Sequence, residues 1–187
     1  MRNKYILMRH GETKYHANGQ SILYSQKEQF SLPITKRAKK MIGEIAENLS
    51  PIDLIYSSDY YRTRQTASIV AKKLGLAINF DQRLRDTNFG IFSGGLASEY
   101  KKIFSSKKQR FPKRIPQGES WRDVKKRIVK FIKEVEKKQK NKNILIVGHA
   151  DPLWLLAGYL KGLNENQLLE KRNPQGLFLE VGQHLKL

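Results

Sequence analysis

Arg9, His10, Arg62 and His149 each stand just beyond a short apolar run, a placement that suits a chemical role. Arg9-His10 follows Tyr5-Ile6-Leu7-Met8. Ser57-Ser58-Asp59 and then Arg62-Thr63-Arg64 follow Leu54-Ile55-Tyr56, and His149 follows Ile144-Leu145-Ile146-Val147 by way of Gly148. Arginine forks match phosphate oxygens, and an imidazole can attack phosphorus. With no cysteine and no paired acidic cluster, the set suits a dianionic phosphoryl group better than a metal ion. Taken singly, His10 or His149 is equally well explained as a capping or packing residue. Arg64 reads as a surface or salt-bridge residue, and His184 as an ordinary polar position.

The apolar runs themselves are the kind expected of parallel strands covered on both faces. Between the first two, Ala38, Met41, Ile42, Ile45, Ala46 and Leu49 recur at three and four residue spacing, which predicts a helix over 35–48 ended near Ser50-Pro51. After the second run, Asp59 is placed to cap a helix that carries Ala67, Val70, Ala71 and Leu74 inward and stops at Gly75. Residues 80–118 are the least regular and read as a basic insertion over one end of the sheet. Ser120-Trp121-Arg122-Asp123 resembles a capping box, and Trp121, Val124, Ile128, Phe131, Ile132 and Val135 form the longest helical stripe in the chain. Pro152 begins a further helix, and residues 177–181 look like a last strand. In α/β folds ligands bind beyond the carboxyl ends of the strands, so an α/β three-layer sandwich with a mostly parallel sheet would bring the arginines and histidines to one edge.

At 187 residues and 39% hydrophobic content, the chain is expected to form a single domain over 1–187. No run of about 18 apolar residues predicts a membrane span, and no secretory signal is readable, so a cytoplasmic protein is expected. Thirty-six Lys and Arg against 17 Asp and Glu give a net charge of +19 and a pI near 10.1, which favours anionic partners. Residues 101–142 are dense in lysine. The plain explanation is lysine spread over solvated helix faces; nucleic acid is the alternative.

Arg9-His10-Gly11-Glu12-Thr13 resembles the signature of the histidine phosphatase (phosphoglycerate mutase-like) superfamily. Further blocks follow in the family's order: Pro33-Ile34-Thr35, residues 57–67, Leu84-Arg85-Asp86 with Phe89-Gly90 and Gly94, Gln117-Gly118-Glu119-Ser120, and Val147-Gly148-His149. The resemblance implies that His10 is the nucleophile that forms a phosphohistidine, that Arg9, Arg62 and His149 surround the phosphoryl group, and that neither metal nor other cofactor is required. Asp86 stands where the family usually carries a glutamate and would be the general acid. His16 occupies a place where relatives commonly have asparagine, leaving His16 or Asn18 to contact the phosphate. Ala150 replaces a common glycine. The expected activity is phosphatase action on a small phosphorylated metabolite, with phosphoglycerate mutase as the alternative and an anion- or nucleic-acid-binding module as a more remote one. True mutases of the family are longer, which favours the phosphatase. Oligomeric state is open.

Overall fold

The computed structural model describes residues 1–49, 51–173 and 175–187. Its sheet contains β1 (Lys4–Arg9), β2 (Leu54–Ser57), β3 (Ile78–Phe80), β4 (Asn143–Gly148) and β5 (His184–Lys186), in the order β3-β2-β4-β1-β5. Every pairing is parallel except that of β5, which runs antiparallel to β1 at the edge. The helices are α1 (Lys14–Ala17), α2 (Gln26–Ser31), α3 (Lys36–Glu47), α4 (Tyr61–Leu74), α5 (Ala97–Lys102), α6 (Trp121–Lys138), α7 (Ala150–Leu160) and α8 (Glu165–Glu170).

Strand side chains alternate between two separate cores, and that alternation produces the layers. Ile6, Met8, Leu145 and Val147 meet Ala38, Ile42 and Ala46 of α3 and Ala67, Val70 and Ala71 of α4. Tyr5, Leu7, Ile144 and Ile146 meet the Trp121, Ile128, Phe131 and Ile132 stripe of α6 and the apolar body of α7. The three-layer α/β/α sandwich is thus the expected one. A third, smaller cluster of Leu23, Phe89, Ala97, Tyr100 and Ile115 holds together the irregular segment that lies over one end of the sheet.

Local sequence accounts for most element ends. Thr35 caps α3 by accepting from the Ala38 amide at 3.1 Å, and Ser120 and Asp123 form the expected capping box on α6. The expected end of α3 near Ser50-Pro51 falls partly on Ser50, outside the described residues; α3 itself stops at Glu47 with Asn48 as its cap. Pro152 lies in the first turn of α7, where an amide would have no helical acceptor. Two expectations are corrected. Asp59 does not cap α4: Arg85 takes both its oxygens at 2.7 and 2.6 Å, and the cap position is Tyr60. Residues 177–181 are not a strand; the free edge of β1 is filled by β5, and the Leu179 carbonyl accepts from Arg9 instead of from a sheet neighbour.

Candidate active site

β1 delivers Arg9 and, one residue past its end, His10, which is 3% exposed. Its Nδ1 lies 2.8 Å from the Gly11 carbonyl. A carbonyl only accepts, so Nδ1 carries the proton and Nε2 keeps the lone pair. Gly11 is in turn fixed by its amide donating to Thr66 Oγ1 of α4 at 3.0 Å. A Cβ at Gly11 would approach the Ile42 side chain to 2.7 Å, so the chain passes close over α3 only because this residue has none. Burial, reinforced by the Arg62 and Arg9 charges, holds the His10 imidazole well below its ordinary pKa. It is a neutral base at physiological pH.

Arg62, in the first turn of α4, is fully buried. It donates to Gln29 Oε1 at 2.6 Å, to His149 Nδ1 at 3.0 Å and to Asp86 Oδ2 at 3.3 Å, while its guanidinium carbon lies 4.5 Å from the Tyr24 ring centre. Since arginine only donates, His149 accepts at Nδ1 and its Nε2–H donates to Ser58 Oγ at 3.0 Å. Burial and the neighbouring Arg62 charge also keep His149 neutral. The His10 and His149 ring centres are 5.4 Å apart. Arg9 donates to the Leu179 carbonyl at 3.0 Å and approaches His16 Nε2 at 3.3 Å. Burial, with the charges of Arg9 and Arg62, pushes His16 down to about 4.

Asp86 Oδ1 accepts from the Thr87 amide at 2.9 Å. Burial raises its pKa above the usual aspartate value, and the long Arg62 contact opposes this only in part. The loop that carries it is held by Arg127 of α6, which donates to the carbonyls of Arg83, Arg85 and Asp86 at 2.6, 2.8 and 2.9 Å and to the carboxylate of Glu119. Glu119 also accepts from the Asn88 amide at 2.9 Å. The crossing is tight: at φ +50°, Gly90 would place a Cβ 2.0 Å from the Pro116 carbonyl. The Gln117-Gly118-Glu119 turn therefore fastens the Asp86 loop.

Arg9, His10, His16, Tyr24 and Asp86 line a cavity of about 360 Å³, and Arg62 and His149 stand fully buried behind its wall. Glu12 faces away, bonded to Thr35 Oγ1 at 3.1 Å and to Arg37, so its part is to tie the loop to α3. Asn18 is exposed at the end of α1 and is not among the lining residues. Arg64 is exposed and stacks on Phe80, and His184 lies on β5. Gln29, Tyr24 and Arg127 were not singled out from the sequence. The only available signal was the paired spacing of Leu84-Arg85-Asp86 and Gln117-Gly118-Glu119, which Arg127 joins. Among the described residues, no group of three or more His, Asp or Glu side chains is arranged to hold a metal ion.

The model of the histidine phosphatase superfamily (branch 1) matches residues 5–176. The probable phosphoglycerate mutase GpmB of Escherichia coli is 30% identical over 172 residues, covering 84% of this chain and 74% of that one. Among solved structures, the mycobacterial glucosyl-3-phosphoglycerate phosphatase superposes with a TM-score of 0.80 at 20% identity, over 98% of this chain and 88% of that one. The α-ribazole phosphatase from Shigella flexneri does so at 0.78 and 22%, over 98% and 89%. These structures share the α/β/α fold. No helix among the described residues is long and apolar enough to cross a membrane.

Proposed function

Because the chain belongs to the histidine phosphatase superfamily (branch 1), we propose that it hydrolyses small phosphomonoesters through a phosphohistidine on His10. The observation that carries this reading is the pinned tautomer: Nδ1–H is spent on the Gly11 carbonyl, so Nε2 is an unprotonated nucleophile beside a cationic pocket. In the first step Nε2 forms a bond to phosphorus as the ester P–O bond breaks. Asp86 donates its proton to the departing alkoxide. In the second step water attacks phosphorus, Asp86 accepts the water proton, and the Nε2–P bond breaks to release inorganic phosphate. Arg9, Arg62 and His16 bear on the phosphoryl oxygens, His149 orients Arg62 through its Nδ1 and bears on them only if its Nε2–H leaves Ser58, and no metal is needed for charge neutralisation.

Asp86 now occupies an N–H of Arg62 through a 3.3 Å contact. An arriving phosphoryl group displaces it from that donor. Displacement does two things at once: Arg62 turns to the substrate, and Asp86, stripped of its counter-charge, rises further in pKa and holds the proton it must give. His16 replaces the asparagine of relatives as a contact from α1; Asn18, exposed, is assigned no phosphate contact.

The test is release of phosphate from p-nitrophenyl phosphate in the presence of EDTA, wild type beside His10→Ala, followed by phosphorylated metabolites including 3-phosphoglycerate. His10→Ala is expected to lose about 10⁴-fold or more while keeping its circular dichroism. Metal dependence, or turnover that survives in the variant, would overturn the proposal. The E. coli relative's name makes the mutase reading worth one arm of the panel: interconversion of phosphoglycerates faster than their hydrolysis would favour it.

A further inference from the structure

The net charge of +19 is not explained by the active site, whose cations are buried and bonded. Several cations in the basic stretch of the irregular segment are held as well. Arg110 is paired with Asp151, Lys102 with Glu99 and Arg114 with Asp123, and Lys113 donates to the Ile103 carbonyl. Lys101, Lys107 and Lys108 of that stretch, and Lys36, Lys39 and Lys72 on the opposite layer, also have no ion pair among the described residues, but α6 gathers five unpaired lysines on one helix. One face of that helix is core, and the other carries Lys126, Lys130, Lys133 and Lys137 at spacings of four, three and four, with Lys125 beside them. Among the described residues none of these five ammonium groups has a carboxylate within ion-pair distance. The nearby Glu134 is already taken by Arg83 at 2.8 Å and Lys138 at 2.7 Å, and Glu165 by Arg122 at 2.8 Å.

The five lysines flank an open groove of about 770 Å³ with Val129 and Tyr159 also in its lining. None of its lining residues is shared with the catalytic cavity, so it is a separate surface. At about 1.5 Å of rise per residue, successive lysines stand about 4.5–6 Å apart along the axis, on the scale of a phosphate step in an extended strand. We propose that the α6 groove binds single-stranded nucleic acid through its phosphate backbone, without reading base sequence. The groove's concave form, lysine point charges and one aromatic ring are the parts such sites combine. A bilayer is a poorer fit, because among the described residues Met1 is the one large exposed apolar side chain that borders this face.

The experiment is fluorescence anisotropy of a labelled oligothymidylate against the whole protein. Five phosphate contacts predict affinity falling about 100-fold between about 50 and 200 mM salt. The triple variant Lys126→Gln, Lys130→Gln, Lys133→Gln should bind at least about 10-fold more weakly at low salt, with the logarithmic salt slope reduced in size by about 2. A control of equal charge loss on the opposite layer, Lys36→Gln, Lys39→Gln, Lys72→Gln, should bind as wild type. Both variants should keep phosphate-ester hydrolysis, which reports their folding and stands apart from this proposal. Equal losses in the two triples would reduce the effect to net charge and overturn the assignment. So would absence of binding at low salt, tighter binding to phosphatidylserine vesicles, or displacement by polyglutamate as readily as by unlabelled strand.

Discussion

Asp86 and Asp151 are carboxylates lining the same cavity, and the protein handles them in opposite ways. Burial pushes both upward. At Asp151 the charges of Arg172 and Arg110 and the indole N–H of Trp121 overrule burial, at 2.5, 2.7 and 2.8 Å, and hold the group well below the usual carboxylate range. Asp86 has one backbone amide and one long arginine contact, and burial prevails. The number of close donors, not burial, decides which carboxyl is available as an acid and which is a fixed anion. Asp151 braces the end of α7 against α6 and the segment bearing Arg172; Asp86 is left free to exchange a proton.

The sharpest way to break this contrast is Asp86→Asn. It should lower kcat/KM for alkyl phosphates by about 10²–10⁴-fold, yet cost p-nitrophenyl phosphate, whose leaving group needs little help, less than about 10-fold. Equal losses on both esters would remove the acid role. Asp151→Asn should act on stability: with the buried Arg110 and the half-buried Arg172 uncompensated, urea unfolding should show a loss of about 3 kcal/mol, while folded protein keeps its kcat within a few-fold. Because the folded Asp151 pKa is depressed, its contribution is complete above about pH 4 and is lost only as pH falls through the folded value. Arg127→Met should release the Asp86 loop and cost about 10-fold in kcat on alkyl phosphates, again with less effect on activated ones. The smallest effect is in the pH profile. With Asp86 raised, activity on alkyl phosphates should fall with rising pH along a limb above the ordinary aspartate value of about 4; with His10 lowered, no acid limb should appear near 6.5. Asp86→Asn should erase the basic limb and Asp151→Asn should leave it.

The sheet and its long helices were legible because β1, β2 and β4 are continuous apolar runs and α3 and α6 carry full apolar stripes. The ends of those strands put Arg9, His10, Arg62 and His149 within reach of one another. Short elements were not: β3 has three residues, and α1, α2, α5 and α8 have six or fewer. Residues 177–181 misled because Leu177 and Leu179 are buried, as in a strand, while Phe178 stacks on Arg172 at 4.2 Å. Partners such as Gln29 and Arg127 meet the site across long sequence separations, and nothing local marks a glutamine or a helix arginine for such duty. Asp59 illustrates the same limit, its capping chemistry being claimed by Arg85.

The hydrogen bond that sets the His10 tautomer is made to the carbonyl of the very next residue. The proposed nucleophile is thus readied by a contact internal to one loop, while the proposed acid reaches the site on a separate, irregular segment clasped by Arg127. In the proposed reaction the attacking atom and the leaving-group acid are therefore held by separate parts of the chain, which meet where Asp86 touches Arg62. If the proposed roles hold, a change confined to residues 80–118 would alter which alcohols are released without touching the Gly11 carbonyl that sets the His10 tautomer.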